Sequence, residues 1–354
     1  KDEIICKKVV ISDKIFNKDF IKEIDPLNTK LQSKIKINIG NFFDYFNANG
    51  NILNLKKKQV VVDKNIYIPK GYQIKINPNE ELILINNSFI ISESYFNVDG
   101  GDPLTNQPIK ITGRENNKGG GIFIKNTINE NYFNNVVFEN LYGSINNLLF
   151  NKYIIYGAIN IYNSKIILEN FSIKNISSED SINLISTDFY LNNGYFENIS
   201  SDAIDVDYGN GTLNNLEMKN VLNDGIDFSE SSAKVSNIFF ENIGDKSISN
   251  GENSKINIEN LKIFKSYIGI ASKDGSIVSA KNIKLLNVKI PFASYKKKNE
   301  YKYPILKIND ATYEEFKELY FKDKSAKIFI NNKVKRKTTE NILEKVYNPL
   351  YKLR

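Results

Sequence analysis

Between Gly157 and Ile290 the chain repeats itself. From Ser181 it falls into rows of 22 residues, SINLISTDFYLNNGYFENISSD, AIDVDYGNGTLNNLEMKNVLND and GIDFSESSAKVSNIFFENIGDK, and the row from Ser247 keeps the rhythm. Asn170, Asn193, Asn215, Asn237, Asn260 and Asn282 recur at steps of 22 or 23. Five residues later Asn175, Asn198, Asn220, Asn242 and Asn287 form a second column, broken only by Lys265. A fixed period of this length marks a stacked solenoid. Within each row apolar residues alternate over short runs, as in Ile204/Val206 and Ile226/Phe228, which is strand and not helix periodicity. One row cannot bury its own apolar face. Stacked rows can, each strand pairing with its counterparts above and below. Asn suits the recurring corner because it tolerates left-handed backbone and its amide can bond the Asn one coil away. The expected fold is all-β, a parallel β-helix.

The remaining segments are placed around that solenoid. Residues 1–50 show no period and read as an N-terminal cap, since an open solenoid end exposes strand edges. Coils run over 51–309, with corners at Pro69/Gly71 and Asn77-Pro78-Asn79. Gly119-Gly120-Gly121 lacks the Lys-Ser/Thr of a phosphate loop and reads as tight-turn glycines. An insertion around Ser144 to Tyr156 overhangs the coils, and its Tyr153 and Tyr156 are candidate sugar-stacking faces. Residues 310–354 form a C-terminal cap and basic tail. There Thr312 to Tyr320 is expected as a short helix and Ala326 to Ile330 as a closing strand. Thr338 to Tyr347 is expected as an amphipathic helix over the C-terminal end, with Ile342, Leu343 and Val346 on one side.

Composition narrows the chemistry. The chain has no histidine, which excludes Ser-His-Asp and Cys-His catalysis and histidine-ligated metals. Its one cysteine, Cys6, excludes an internal disulfide framework. No apolar run reaches membrane-spanning length. The net charge of +7 is unevenly spread: 13 acidic residues face two lysines from Glu179 to Asp245, while 16 basic residues face eight acidic ones from Pro291 to Arg354. Lys296-Lys297-Lys298 and the Lys333–Lys337 cluster carry no nucleic-acid-binding motif and read as solvated loops, so nucleic acid is not an expected partner.

Acidic residues gather where the rows restart. Glu179-Asp180, Asp202, Asp224 and Asp245-Lys246 stack at coil spacing, with Lys273 continuing the column. Along the following strands run Asn183, Asp205/Asp207 and Asp227/Ser229. If Ile204 and Val206 point inward, alternation turns Asp205, Asp207 and, by the same logic, Asp227 outward. Carboxylates about 4.8 Å apart repel, raise one another's pKa, or share a cation. Ca2+ is the natural partner for such oxygens, with Asp180, Asp202, Asp205, Asp224, Asp227 and Asp245 as candidate ligands. A solvated acidic face is the bland alternative, although like charges along one ridge cost stability. Lys246, Asp205 and Asp227 are the candidate catalytic residues, and Lys273, Asp207, Tyr153 and Tyr156 candidate substrate contacts.

The segments SDAIDVD, NDGIDFSES, IGDKSISNGENS and IGIASKDGS, with IYIPKGYQIKINPNEEL and YGAINIYNSKIILENFSIKN, resemble a family of bacterial right-handed parallel β-helix proteins over roughly residues 51–290. Such regions accompany CotH-type kinase-like proteins of the cell envelope. More distantly the pattern is similar to pectate lyases, alginate epimerases and lyases, polygalacturonases and phage tailspikes. The calcium-dependent lyases imply aspartates holding calcium against a uronate; here those would be Asp202, Asp205, Asp224 and Asp227, with Lys246 as base. This chain departs from them: Arg114 is its only arginine before Arg336, and it has no histidine for polygalacturonase chemistry.

The expected function is action on an acidic polysaccharide through an outer groove, as a calcium-dependent lyase or C5-epimerase. Glycoside hydrolysis by two of the carboxylates is a variant. The alternative is a non-catalytic envelope or surface protein that binds glycan or a partner protein. Either implies a secreted or envelope-associated chain whose signal segment is not in the sequence.

Overall fold

The structure, a computed structural model, describes residues 8–13, 18–23, 39–143, 148–150 and 153–348. The chain divides into two units, Lys1–Ile37 and Asn38–Arg354. In the first, Lys8–Asp13 pairs antiparallel with Lys18–Glu23; the rest of the expected cap up to residue 38 lies outside the described residues. Residues 39–50 are already tied to the coils, since Ile39–Gly40 pairs parallel with Asn65–Ile68 and Phe46–Asn49 pairs antiparallel with Ile52–Leu55.

From there the second unit is a parallel β-solenoid of about twelve turns. One coil shows the plan. Asp202–Asp207 forms the first strand, Tyr208 turns the chain at positive φ, and Asn210–Val221 follows, bent at Asn215 and Asn220. Pairing is in register from coil to coil: Ile182 on Ile204 on Ile226 on Ile248, and Leu184 on Val206 on Phe228. These side chains are buried and form one continuous core. Gly121 passes so close to the next coil, at φ 141°, that a Cβ there would lie 2.0 Å from the Ala158 carbonyl oxygen.

Both Asn columns hold the left-handed corners, and Lys265 adopts the same conformation as its Asn neighbours. The amides form ladders: Asn193 Nδ2 donates to Asn170 Oδ1 at 2.6 Å, Asn215 to Asn193 at 3.1 Å, and Asn282 to Asn260 at 2.7 Å. In the second column Asn198 donates to Asn175, Asn220 to Asn198 and Asn242 to Asn220. Each residue thus relieves a backbone constraint and links two coils.

Three sequence expectations change in the C-terminal part. Thr312 to Tyr320 contains no helix; Ile305–Glu314 is a strand laid along Ile277–Tyr295. Asp310 and Glu315 sit at positive φ in register with the corners at Asn282 and Asn287. The solenoid edge dictates strand there, overriding a locally helical pattern. The tail helix α1 is shorter than expected, Ile342–Tyr347, and buries Ile342 and Val346 while Leu343 faces solvent. It also packs on the flank of the coils: Ile342 and Val346 join Ile268, Ala271, Ile290, Ala293 and Tyr295, all at outward-facing positions, in a second apolar cluster.

Corner chemistry gives the first test. Asn193→Ala should lose two ladder bonds and strain a left-handed residue, lowering stability by about 2–3 kcal/mol in urea unfolding, with Asn193→Gly losing less. Lys265→Asn should raise the urea midpoint by repairing the column.

Candidate functional site

Each coil's first strand carries three outward positions, so stacking produces three columns. The first runs Asp180, Asp202, Asp224, Lys246, Ile268, Ile290; the second Asn160, Asn183, Asp205, Asp227, Ser249, Ala271, Ala293; the third Tyr162, Ile185, Asp207, Ser229, Gly251, Lys273, Tyr295. The expected seam is present, with two changes. Asp245 flanks the first column, its N–H bonded to the Asn223 carbonyl. Lys246 and Lys273 stand in different columns, although both ammoniums turn back toward the carboxylates.

Side-chain bonds link the coils. Asp202 Oδ1 accepts from the Asp224 N–H at 2.9 Å and from Asn223 Nδ2 at 2.6 Å. Asp224 Oδ1 accepts from the Lys246 N–H at 2.9 Å and from Lys246 Nζ at 3.2 Å, and Nζ also reaches Asp245 Oδ2 at 2.6 Å. Lys273 Nζ lies 3.5 Å from Asp227 Oδ1. Asn183 Nδ2 donates to both Asp180 Oδ2, at 2.8 Å, and Asp205 Oδ2, at 3.1 Å. Asn183 Oδ1 and Ser249 Oγ, both buried in the second column, have no hydrogen-bond partner.

Proton affinities follow from this packing. Burial, then Asp202 and Glu179, push the Asp180 carboxyl well above the usual range; burial, then Asp180 and Asp207, do the same for Asp205. Burial and Asp224 push Asp202 up to about 7. Asp207 is raised by burial and then by Asp227. Asp224 is raised by burial, with Lys246 opposing. At Lys246 burial works against the charge, but Asp224 and Asp245 override it and hold the ammonium above the ordinary lysine range; Asp227 does the same for Lys273. A lysine held in this way keeps its proton at neutral pH. A base role for Lys246 therefore requires its two ion pairs to break first.

Oxygens of Asp202, Asp224 and Asp227 lie within 4.8 Å of one another, a donor set suited to a hard cation. Asp180, Asp205, Asp207 and Asp245 surround this trio. The flanks of the cleft come from other segments. Tyr153 packs against Phe123 at 5.8 Å between ring centroids, and the Tyr162 hydroxyl donates to the Ile154 carbonyl at 2.9 Å. Lys125 Nζ lies 5.0 Å from the centre of the Tyr153 ring. Tyr153 is thus packed into a wall, and the Tyr156 hydroxyl acts on Tyr162. At the other end Tyr347 of α1 lies over Lys246 at 5.7 Å and pairs with the Tyr295 hydroxyl at 2.9 Å. Beside the third column Lys298 ion-pairs with Glu252 at 2.6 Å.

Sequence reasoning missed Tyr162, Tyr295 and Tyr347. The first two share the register of Asp207 and were open to discovery by counting coils; Tyr347 lies in the aperiodic tail and carried no signal. A separate surface depression of about 480 Å³ lies along the corner column, lined by Asn193, Asn215, Tyr195 and Phe239 among others. Its one carboxylate, Glu217, is ion-paired with Lys219, so the acidic cleft is the site with chemistry to offer.

No protein-family model and no curated protein sequence matches the chain. Among solved structures it is similar to the catalytic domain of a GH87 alpha-1,3-glucanase in complex with nigerose, at TM-score 0.36 and 8% identity over 71% of this chain; it spans 61% of that chain. It is similar to the periplasmic alginate epimerase AlgG, at TM-score 0.40 and 8% identity over 78% of this chain and 80% of that one. For the alginate lyase from Paenibacillus sp. str. FPU-7 the values are 0.37 and 10%, over 71% and 91%. The assignment of the cleft rests on its own geometry.

The raised carboxyl groups give a stability prediction with a definite sign. Asp202, at about 7 when folded against 3.8 ordinarily, contributes stability that is full below about pH 4 and lost as pH rises through 7. The protein in EDTA should melt at a higher temperature at pH 5 than at pH 8. Asp202→Asn should flatten that difference, worth about 2–3 kcal/mol for this group between pH 5 and pH 8.

Proposed function

We propose that this protein is a polysaccharide-active β-helix protein whose acidic cleft cleaves glycosidic bonds by carboxylate acid–base chemistry. The observation that carries the reading is the contrast within one cluster. Asp202 is proton-loaded up to about pH 7, while Asp227, within 4.8 Å, is ion-paired with Lys273. Two neighbouring carboxyls in different environments are what general-acid and general-base roles require. Asp202 donates its proton to the leaving glycosidic oxygen. Asp227, with Asp224 beside it, is too close to Asp202 to leave room for a water between them, so it stabilises or captures the anomeric carbon as the glycosidic bond breaks; water then attacks that carbon, the sugar leaves Asp227, and Asp202, now deprotonated, takes the water's proton. Lys246 and Lys273 supply opposite charge to Asp224 and Asp227, Asp205 and Asp180 extend the acidic floor, and Asp207 and Tyr156 border the sugar. Action on extracellular or envelope polysaccharide is the setting that fits such a substrate; among the described residues no helix is long and apolar enough to cross a membrane.

A second reading is favoured by the three-carboxylate geometry itself. With Asp202, Asp224 and Asp227 as ligands, and Asn183 Oδ1 as a further unpartnered oxygen in the adjacent column, the cleft would hold Ca2+. Bound there, the ion would neutralise a uronate carboxylate for lyase or C5-epimerase chemistry. The two ammoniums, 3.2 and 3.5 Å from two of these carboxylates, compete with such an ion, which is why hydrolysis is preferred.

Both readings are tested on a panel of neutral and uronate polysaccharides. New reducing ends without ultraviolet-absorbing unsaturated products, lost by about 100-fold or more in Asp202→Asn and Asp227→Asn, support hydrolysis. The rate should fall as pH rises above about 7, where Asp202 loses its proton. Unsaturated products or exchange at the uronate C5, together with a calcium-dependent rise in melting temperature, would replace hydrolysis by the second reading. Tight glycan binding with no turnover on any substrate would make the protein a non-catalytic glycan binder.

A further inference from the structure

Taking the cleft as the glycan site, we propose that it is a window two coils wide, closed at both ends along the solenoid axis, that takes a polysaccharide by its terminus or as a short segment crossing the strands and not as a chain laid along the axis. The burial of the three outward columns carries this. Outward positions of a β-solenoid face solvent unless something lies on them. On the coils before the cleft Phe123, Lys125, Asn160 and Tyr162 are buried, and so are Asp180 and Asn183 on the next. The face opens at Ile185 in the third column and then at Asp202, Asp205, Asp207, Asp227 and Ser229, all partly exposed, while Asp224 in the first column stays buried beneath Lys246. One coil later it closes again, with Lys246 3% and Ser249 0% exposed. On the two coils beyond, Ile268, Ala271, Ile290 and Ala293 are buried as well.

What closes each end is identifiable. On the early side the strand Tyr153–Ile155 lies on the face: Ile155 is buried, Ile154 accepts the Tyr162 hydroxyl, and the Tyr153 ring meets both Phe123 and Tyr162. On the late side α1 lies on it. The Tyr267 hydroxyl donates to the Lys345 carbonyl at 2.5 Å, and Tyr347 stands over Lys246. These are packed walls with apolar contacts and hydrogen bonds, and they belong to the fold's second apolar cluster at one end. Two coil steps span about 10 Å, far less than an extended polymer laid along the axis would need. A chain must therefore enter by its end or cross the strands over a short segment.

The walls can be tested without knowing the glycan. In a Cys6→Ser background, Asp205→Cys and Asp227→Cys place a thiol in the window, and Lys234→Cys places one at an exposed position on another face. Each is treated with a linear polyethylene glycol bearing a maleimide at its end and with a dextran bearing maleimides along its backbone. The end-functional reagent should label the window thiols at rates close to the control, while the dextran is slowed by about tenfold or more relative to Lys234→Cys. Ending the chain at residue 340, which removes α1, should restore dextran labelling. Equal dextran rates at the window and control positions would overturn the proposal, and so would exclusion of the end-functional reagent. A lack of turnover on the polysaccharide panel bears on the chemistry alone and leaves this result standing.

Discussion

Parallel pairing of one coil directly over the next, without slippage, is the constraint on which this molecule depends. It lets short strands share every backbone hydrogen bond with two neighbours, which no isolated coil can do. It also forces like onto like: isoleucine on isoleucine inside, asparagine on asparagine at the corners, aspartate on aspartate outside. The first two stackings stabilise, since apolar surface is removed from water and amides bond in ladders. The third opposes folding, because equal charges about 4.8 Å apart in a partly desolvated groove repel.

The cleft relieves that repulsion differently along its length. At Asp180 and Asp205 burial and neighbouring carboxylates raise the proton affinity, and one asparagine amide bridges the pair. At Asp224 and Asp227 lysines supply the opposite charge. Asp202 lies between the two regimes. A gradient from carboxyls of raised proton affinity to ion-paired carboxylates thus develops within a few coils, and acid–base chemistry needs such a difference between neighbours. Removing Lys246 would leave the buried Asp224 without its partner, and removing Lys273 would leave the half-buried Asp227 without its own, so the arrangement is a unit and not a set of separable residues.

The fold was legible because its signal is repetition. Asn193, Asn215 and Asn237 mark corners by identity and spacing alone, and alternation in Ile204/Val206 fixes which side chains face out. Legibility failed where stacking persists without the repeated residue: Asp310 and Glu315 continue the corners under other names, after a loop that breaks the count. The acidic columns could be placed from register, but their energetics could not. That Lys246 is clamped by two carboxylates, or that Tyr153 is packed into a wall, depends on contacts between segments far apart in sequence. The helix over the outer face is the clearest case, since six residues of an aperiodic tail decide how much of the groove stays open.

The asparagine ladders described here run mostly one way, each amide giving its hydrogen to the coil before it. A coil inserted or deleted as a whole would meet corner asparagines on both sides and leave the direction intact. Gene duplication can therefore lengthen or shorten such a protein at low structural risk, provided the event falls outside the aspartate coils. Size and charge are inherited separately: the scaffold tolerates copying, while the acidic cluster is confined to the few rungs that cannot be copied without multiplying their charge.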